Sequence, residues 1–133
     1  MSGNQSGNLD IVTGGAGFIG SHLAENLLAH DRRVRVIDNF SSGNRANLAH
    51  LEGHSLLEIV ELDVADSKAV RESMDGADRV FHLAALADIV PSIQKPDAYF
   101  RANVDGTYAV VEAARAVGIR RLIYTASSSC YSL

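Results

Sequence analysis

Five short apolar runs recur along the chain with amphipathic stretches between them: Leu9 to Thr13, Val34 to Asp38, Leu57 to Glu61, Arg79 to Leu83 and Arg121 to Thr125. Runs of this length, separated by segments of helical character, predict parallel strands joined by crossover helices. The helices are expected to begin near Gly17, Gly43, Ser67, Pro91 and Tyr99, with Ser67 offered as a cap for the stretch reaching Met74. The most regular helical period runs from Tyr99 to Val117, with Val104, Tyr108 and Val111 on one face and Gly118 as the stop. Five such units build an α/β fold, one doubly wound parallel sheet whose ligand crevice lies at the carboxyl ends of the strands, where strand order reverses.

The chemistry concentrates where the first apolar run meets the first helix, in Thr13-Gly14-Gly15-Ala16-Gly17-Phe18-Ile19-Gly20. Glycine serves three purposes in such a turn: a backbone geometry closed to larger residues, close approach of the main chain to a pyrophosphate, and tight packing of helix on strand. The free N–H groups and the positive dipole end of the following helix then hold the anion. Gly15-x-Gly17-x-x-Gly20 alone is a common pattern, and a purely structural glycine turn is its bland reading. What sharpens it is Asp38, which ends the second run at about the 20-residue spacing of a carboxylate that accepts hydrogen bonds from a ribose diol. A dinucleotide-binding Rossmann fold is the reading these positions favour.

At 133 residues the chain has the length of one domain, and a domain of this size buries roughly two-thirds of its unfolded surface. Residues 1–8 are small and polar and are expected to form a disordered tail ahead of a domain over 9–133. Net charge is −4, and apart from Arg32-Arg33-x-Arg35 and Arg120-Arg121 the basic residues are scattered, which leaves no electrostatic footprint for nucleic acid. One cysteine, Cys130, permits no disulfide framework within the chain, suits a reducing cytoplasm, and is expected to pack as a small apolar group. No signal peptide or membrane span is evident. His82 ends an apolar strand, and the other histidines read as surface or helix-face residues, so a zinc site is not expected.

Taken together, Thr13-Gly14-x-x-Gly17-x-x-Gly20, Asp38-Asn39, Asp63-Val64, His82-Leu83-Ala84-Ala85, Asn103-x-x-Gly106-Thr107 and Ser127-Ser128-Ser129-Cys130-Tyr131 resemble the extended short-chain dehydrogenase/reductase superfamily. Within it the likeness is to the NAD-dependent nucleotide-sugar epimerases and dehydratases, above all the UDP-hexose 4-epimerases, and it covers nearly the whole chain after Asn8. The resemblance implies NAD as cofactor and a UDP-sugar as substrate. It places Gly14, Gly17 and Gly20 at the pyrophosphate turn, Phe18 and Ile19 on the helix facing it, Asp38 on the adenosine ribose and Asn39 beside it. Asp63 and Val64 fall at the adenine ring, Leu83, Ala84 and Ala85 along the cofactor, and Asn103 in support of the site. Ser127 takes the family's catalytic Ser/Thr position with Ser128 as its neighbour. Plainer roles stand beside these: Asp63 as a strand-end turn residue, Asn103 as a satisfied core amide, the serine run as strand-end punctuation.

Three departures from the family pattern bear on activity. The family's proton work falls to a Tyr with a Lys four residues later, and here Tyr99 is followed four on by Asn103, Tyr108 by Glu112 and Tyr124 by Ser128. A phenol of ordinary pKa near 10 needs an adjacent cation to act as a base at neutral pH, so a chain cut off before that pair is expected to be inactive. Ala87 stands where many UDP-galactose epimerases carry Lys, and Ser132 where the family usually has Gly. Ser127-Ser128-Ser129 replaces the Thr-Asp-Glu of the 4,6-dehydratases, which favours epimerase over dehydratase. A non-catalytic NAD-binding or sensing module is the competing class. Without a partner for the Tyr99–Val117 stripe and the outer edge of the fifth strand, a homo-oligomer is expected.

Overall fold

The computed structural model describes residues 8–131. The expected tail lies outside the described residues except for Asn8, whose Nδ2 donates to the Asp31 carbonyl at 3.3 Å, and Ser132 lies outside them too. Five strands, β1 (Leu9–Thr13), β2 (Arg33–Asp38), β3 (Leu57–Glu61), β4 (Arg79–His82) and β5 (Arg121–Tyr124), form one parallel sheet in the order β3-β2-β1-β4-β5. Strand order reverses between β1 and β4, which places the crevice above the carboxyl ends of those two strands.

Alternation along the strands explains the layers. In β1, Ile11 packs with Ile37, Val64, Val70, Met74, Val80 and Val110 on one side of the sheet. Its neighbour Val12 packs with Ala24, Leu27, Val34, Val36 and Leu48 on the other. The second side is covered by α1 (Phe18–Ala29) and a 3₁₀ helix over Arg45–Leu51. The first is covered by α2 (Ser67–Ser73) and α5 (Gly106–Val117). Near-continuous apolar strands are what a sheet buried on both faces requires.

The strands lie within one residue of the expected limits, but the helices need four corrections. The segment expected from Gly43 is 3₁₀ and begins at Arg45, because the Asn44 side chain accepts the Ala46 N–H at 2.9 Å and caps it there. Asp66, not Ser67, caps α2, its Oδ1 accepting from Ala69 N at 3.2 Å. The helix expected at Pro91 is α3 (Ile89–Gln94), which starts two residues earlier and carries Pro91 in its first turn, where a missing N–H costs nothing. The single helix expected from Tyr99 is instead α4 (Pro96–Phe100), a π turn (Arg101–Asp105) and α5, which Gly118 ends in a left-handed conformation, φ 77°. No described helix is long and apolar enough to cross a membrane.

Candidate functional site

The glycine turn is shaped by its neighbours. Gly14 has φ +70°, its N–H donates to the Ile37 carbonyl at 2.8 Å, and a Cβ there would meet Ala84 N at 2.8 Å. A Cβ on Gly20 would sit 2.2 Å from the Gly14 carbonyl oxygen. Both positions therefore exclude any side chain, and the turn folds tightly under the start of α1. That helix has no capping side chain and no acidic residue in its first turn. Its ladder begins with Ser21 N to the Gly17 carbonyl, 3.0 Å, so the N–H groups of Phe18, Ile19 and Gly20 stand outside it. An uncapped helix start with open amides suits an anion.

Asp38 projects from the end of β2 into the same cleft and is 8% exposed. Its Oδ2 accepts from Ala16 N at 2.9 Å and its Oδ1 from Phe40 N at 2.8 Å, the latter held by the left-handed backbone of Phe40, φ 59°. Each oxygen keeps one further acceptor position. The amides thus aim the carboxylate and leave it capacity for two hydroxyls.

The cleft is lined by Gly14, Gly17, Asp38, Asn39, Asp63, Val64, Leu83, Ala84 and Ala85 among the residues singled out from sequence. Gly20 packs beneath the turn without lining the cleft, and the side chains of Phe18 and Ile19 point to solvent, 77% and 67% exposed. Those two residues can serve an anion through main-chain N–H groups only. Asp63 combines a plain role with its place in the cleft: Oδ1 accepts from Ala65 N at 2.9 Å, and Oδ2 pairs with Arg101 at 2.8 Å. Asn103, inside the π turn, clamps Leu86 by accepting from its N–H at 2.8 Å and donating to its carbonyl at 2.9 Å.

Ala84, Ala85 and Leu86 continue into a second hollow with His82, Asn103, Thr107, Tyr124, Ser127, Ser129 and Cys130. Ser127 Oγ lies 2.7 Å from Ser129 Oγ and caps the 3₁₀ turn Ser128–Cys130. Ser128 does not line the hollow. Cys130 is exposed there rather than packed, a correction to the sequence expectation, because it follows β5, which among the described residues is the edge strand of the sheet. Among the described residues no group of three or more His, Cys, Asp or Glu could hold a metal ion.

Several lining residues were given no site role from sequence. Ser41, Ser42 and Gly43 close the cleft beside Asp38; a small polar run directly after a strand was their only signal. His82 is buried with its ring between two threonines, Nδ1 2.7 Å from Thr13 Oγ1 and Nε2 3.0 Å from Thr107 Oγ1. Burial pushes its pKa down to about 4, so the ring is neutral at physiological pH.

Residues 11–132 match the model of the NAD dependent epimerase/dehydratase family. The UDP-N-acetyl-alpha-D-glucosaminuronate decarboxylase of Bacillus cytotoxicus is 35% identical over 91% of this chain and 37% of its own length. The UDP-glucose 4-epimerase of Streptomyces lividans is 36% identical over 91% of this chain and 36% of its own. The crystal structure of UDP-glucose 4-epimerase from Brucella ovis in complex with NAD superposes with a TM-score of 0.84 at 33% identity, covering 95% of this chain and 38% of that one. The chain therefore spans little more than a third of the length of these relatives. With a family model matched over nearly its whole length and the sheet order and glycine turn to go with it, the chain belongs to the NAD dependent epimerase/dehydratase family.

Proposed function

We propose that residues 9–133 form the NAD-binding domain of a nucleotide-sugar 4-epimerase. The observation that carries this reading is the uncapped start of α1 above Gly14 and Gly17, with the Asp38 carboxylate in the same cleft. The main-chain amides at Phe18 and Ile19 hold the pyrophosphate, and Asp38 accepts from the adenosine ribose diol with Asn39 beside it. Asp63 and Val64 flank the adenine, while Leu83, Ala84 and Ala85 guide the cofactor toward the second hollow. The charge on Asp38 repels a 2′-phosphate, which favours NAD over NADP.

Bound there, NAD would supply reversible hydride transfer at sugar C4. Ser127 opens onto the second hollow and hydrogen-bonds the reacting oxygen, Ser128 supporting the turn, and Asn103 holds the wall at Leu86. The 133 residues contain no Tyr-x-x-x-Lys pair, so as they stand they bind NAD without turning over UDP-sugars. The serine run supports an epimerase over a 4,6-dehydratase. A non-catalytic NAD-binding or sensing module is the second reading, since it calls on the same cofactor residues. The lone exposed thiol of Cys130 suits a cytoplasmic setting.

Calorimetric titration with NAD and NADP tests the cofactor site. NAD binds and NADP binds at least about tenfold more weakly, and Asp38→Asn loses roughly 10- to 100-fold in NAD affinity. Absence of NAD binding would sink the reading, and turnover of a UDP-sugar by this chain would sink the inactivity. Self-association belongs to the same proposal. Phe100, Val104, Tyr108 and Val111 make one exposed stripe, repeating every three to four residues, that a second copy can cover about a two-fold axis. Sedimentation at micromolar concentration then shows a dimer or larger, and a monodisperse monomer overturns it.

A further inference from the structure

We propose that His82 is a positioning residue for the cofactor cleft: as the Nε2–H tautomer it orients the Thr13 hydroxyl, which in turn clamps the Leu83 and Ala84 amides against the glycine turn. The proposal rests on the reading that this cleft holds NAD.

Proton counting at Thr13 Oγ1 carries it. That oxygen has three partners: Leu83 N at 3.1 Å, Ala84 N at 3.1 Å and His82 Nδ1 at 2.7 Å. Main-chain N–H groups only donate: Ala84 N–H takes one acceptor position of the hydroxyl, and Leu83 N–H takes the other while sharing its proton with the Thr13 carbonyl at 3.2 Å. The single hydroxyl proton must go to the third partner. Nδ1 is therefore bare, and the neutral ring carries its proton on Nε2, which donates to Thr107 Oγ1 at 3.0 Å. The opposite tautomer would push the Leu83 N–H wholly onto the Thr13 carbonyl and leave the hydroxyl proton with donors only around it and no acceptor.

Register makes the arrangement possible, because Thr13, His82 and Tyr124 are paired across β1, β4 and β5 in one row at the carboxyl end of the sheet. The Tyr124 ring stacks on His82 with centroids 6.2 Å apart, and the His82 carbonyl accepts from Thr125 Oγ1 at 2.9 Å. The groups facing the imidazole are thus Thr13 from β1, Thr107 from α5 and the Tyr124 ring from β5, none of which is a charged side chain. The output is the Ala84 main chain, whose N lies 2.8 Å from where a Gly14 Cβ would stand. Through Thr13, the His82 proton fixes the gap between the glycine turn and the Leu83–Ala85 wall.

Two near-isosteric substitutions separate positioning from simple filling of space. Asn places an amide group where Nδ1 stands and can accept from Thr13; Gln reaches the Nε2 position and leaves Thr13 without an acceptor. Relative to wild type, His82→Asn retains NAD affinity within about threefold, and His82→Gln loses at least about tenfold. In the same variants without NAD, amide exchange at Ala84, whose N–H rests on the Thr13 hydroxyl, is unchanged in H82N and at least about tenfold faster in H82Q. Nitrogen-15 spectra of the wild-type chain show a bare Nδ1 and a protonated Nε2 at neutral pH. A protonated Nδ1, or equal exchange at Ala84 in the two variants, overturns the proposal. Exchange and tautomer are read without cofactor, so failure of the chain to bind NAD would sink the cofactor reading and leave this one to be decided by those measurements.

Discussion

A neutral imidazole buried among hydroxyls makes folding sensitive to pH in a defined window. The unfolded chain binds a proton at His82 near the ordinary value of 6.5, whereas burial holds the folded value at about 4. Between these values the unfolded state carries more protons, so stability rises with pH and falls as acid is added from about 6.5 down to about 4. The full difference is roughly 3 kcal/mol. Urea unfolding of the wild type at a series of pH values should show this slope, and His82→Asn should flatten it. A wild-type curve already flat across that window would mean that His82 charges freely in the fold. The sequence places His82 at the end of an apolar strand; what it does not reveal is that Thr13 and Thr107, 69 and 25 residues away, close on the two ring nitrogens.

Elements were legible where a local pattern and the tertiary fold agree. The strands are legible because a sheet covered on both faces demands uninterrupted apolar runs, and Gly118 is legible as a stop because its left-handed backbone suits glycine. The segment from Pro96 to Val117 is less so, since a 3.6-residue period carries on through the π turn that carries Asn103 to Leu86. In the cleft, Gly14, Gly17 and Asp38 follow from spacing, but the outward side chains of Phe18 and Ile19 follow only from how α1 sits on the sheet. One substitution at two helix ends shows the difference between a cap and a close approach. Gly118→Ala puts a side chain into open space at positive φ and costs about 1 kcal/mol, with NAD affinity unchanged. Gly20→Ala drives a methyl to 2.2 Å from the Gly14 carbonyl, so the turn itself must move. It should cost more stability than Gly118→Ala and lose at least about tenfold in NAD affinity. Equal NAD affinity in the two variants would mean that the turn does not hold the cofactor.

Across the whole molecule, stability and binding occupy opposite ends of the sheet. The cleft lies above the carboxyl ends of the strands, while the amino ends are tied by a charge network of Asp10, Asp78, Arg32, Arg79 and Arg120. Asp10 is fully buried in β1 and accepts bidentate bonds from Arg32, at 2.9 and 2.6 Å, and from Arg79, at 2.8 and 2.7 Å. Arg32 also reaches Asp78 at 3.0 Å, and Asp78 holds Arg120 through two bonds of 2.8 and 2.9 Å. Burial alone would raise the Asp10 carboxyl, but the bonds from Arg79 and Arg32 outweigh it and hold it below the ordinary range. At Asp78 the Arg120 bonds dominate over burial, in the same direction. Both carboxylates therefore stabilise the fold above the ordinary Asp value near 3.8, and that contribution is lost as pH falls below about 4, a window beneath that of His82. Removing the buried partner strands the Arg79 guanidinium and leaves Arg32 with Asp78 alone, so Asp10→Ala should cost about 3 kcal/mol or more in urea unfolding, a large share of a domain's ~5–15 kcal/mol. Arg120 is largely exposed and leaves Asp78 with Arg32, so Arg120→Ala should cost clearly less. Because the network is remote from the cleft, Arg120→Ala should bind NAD as the wild type does; a comparable loss of stability in the two variants would show that the charges act through their surface field rather than through the buried carboxylate.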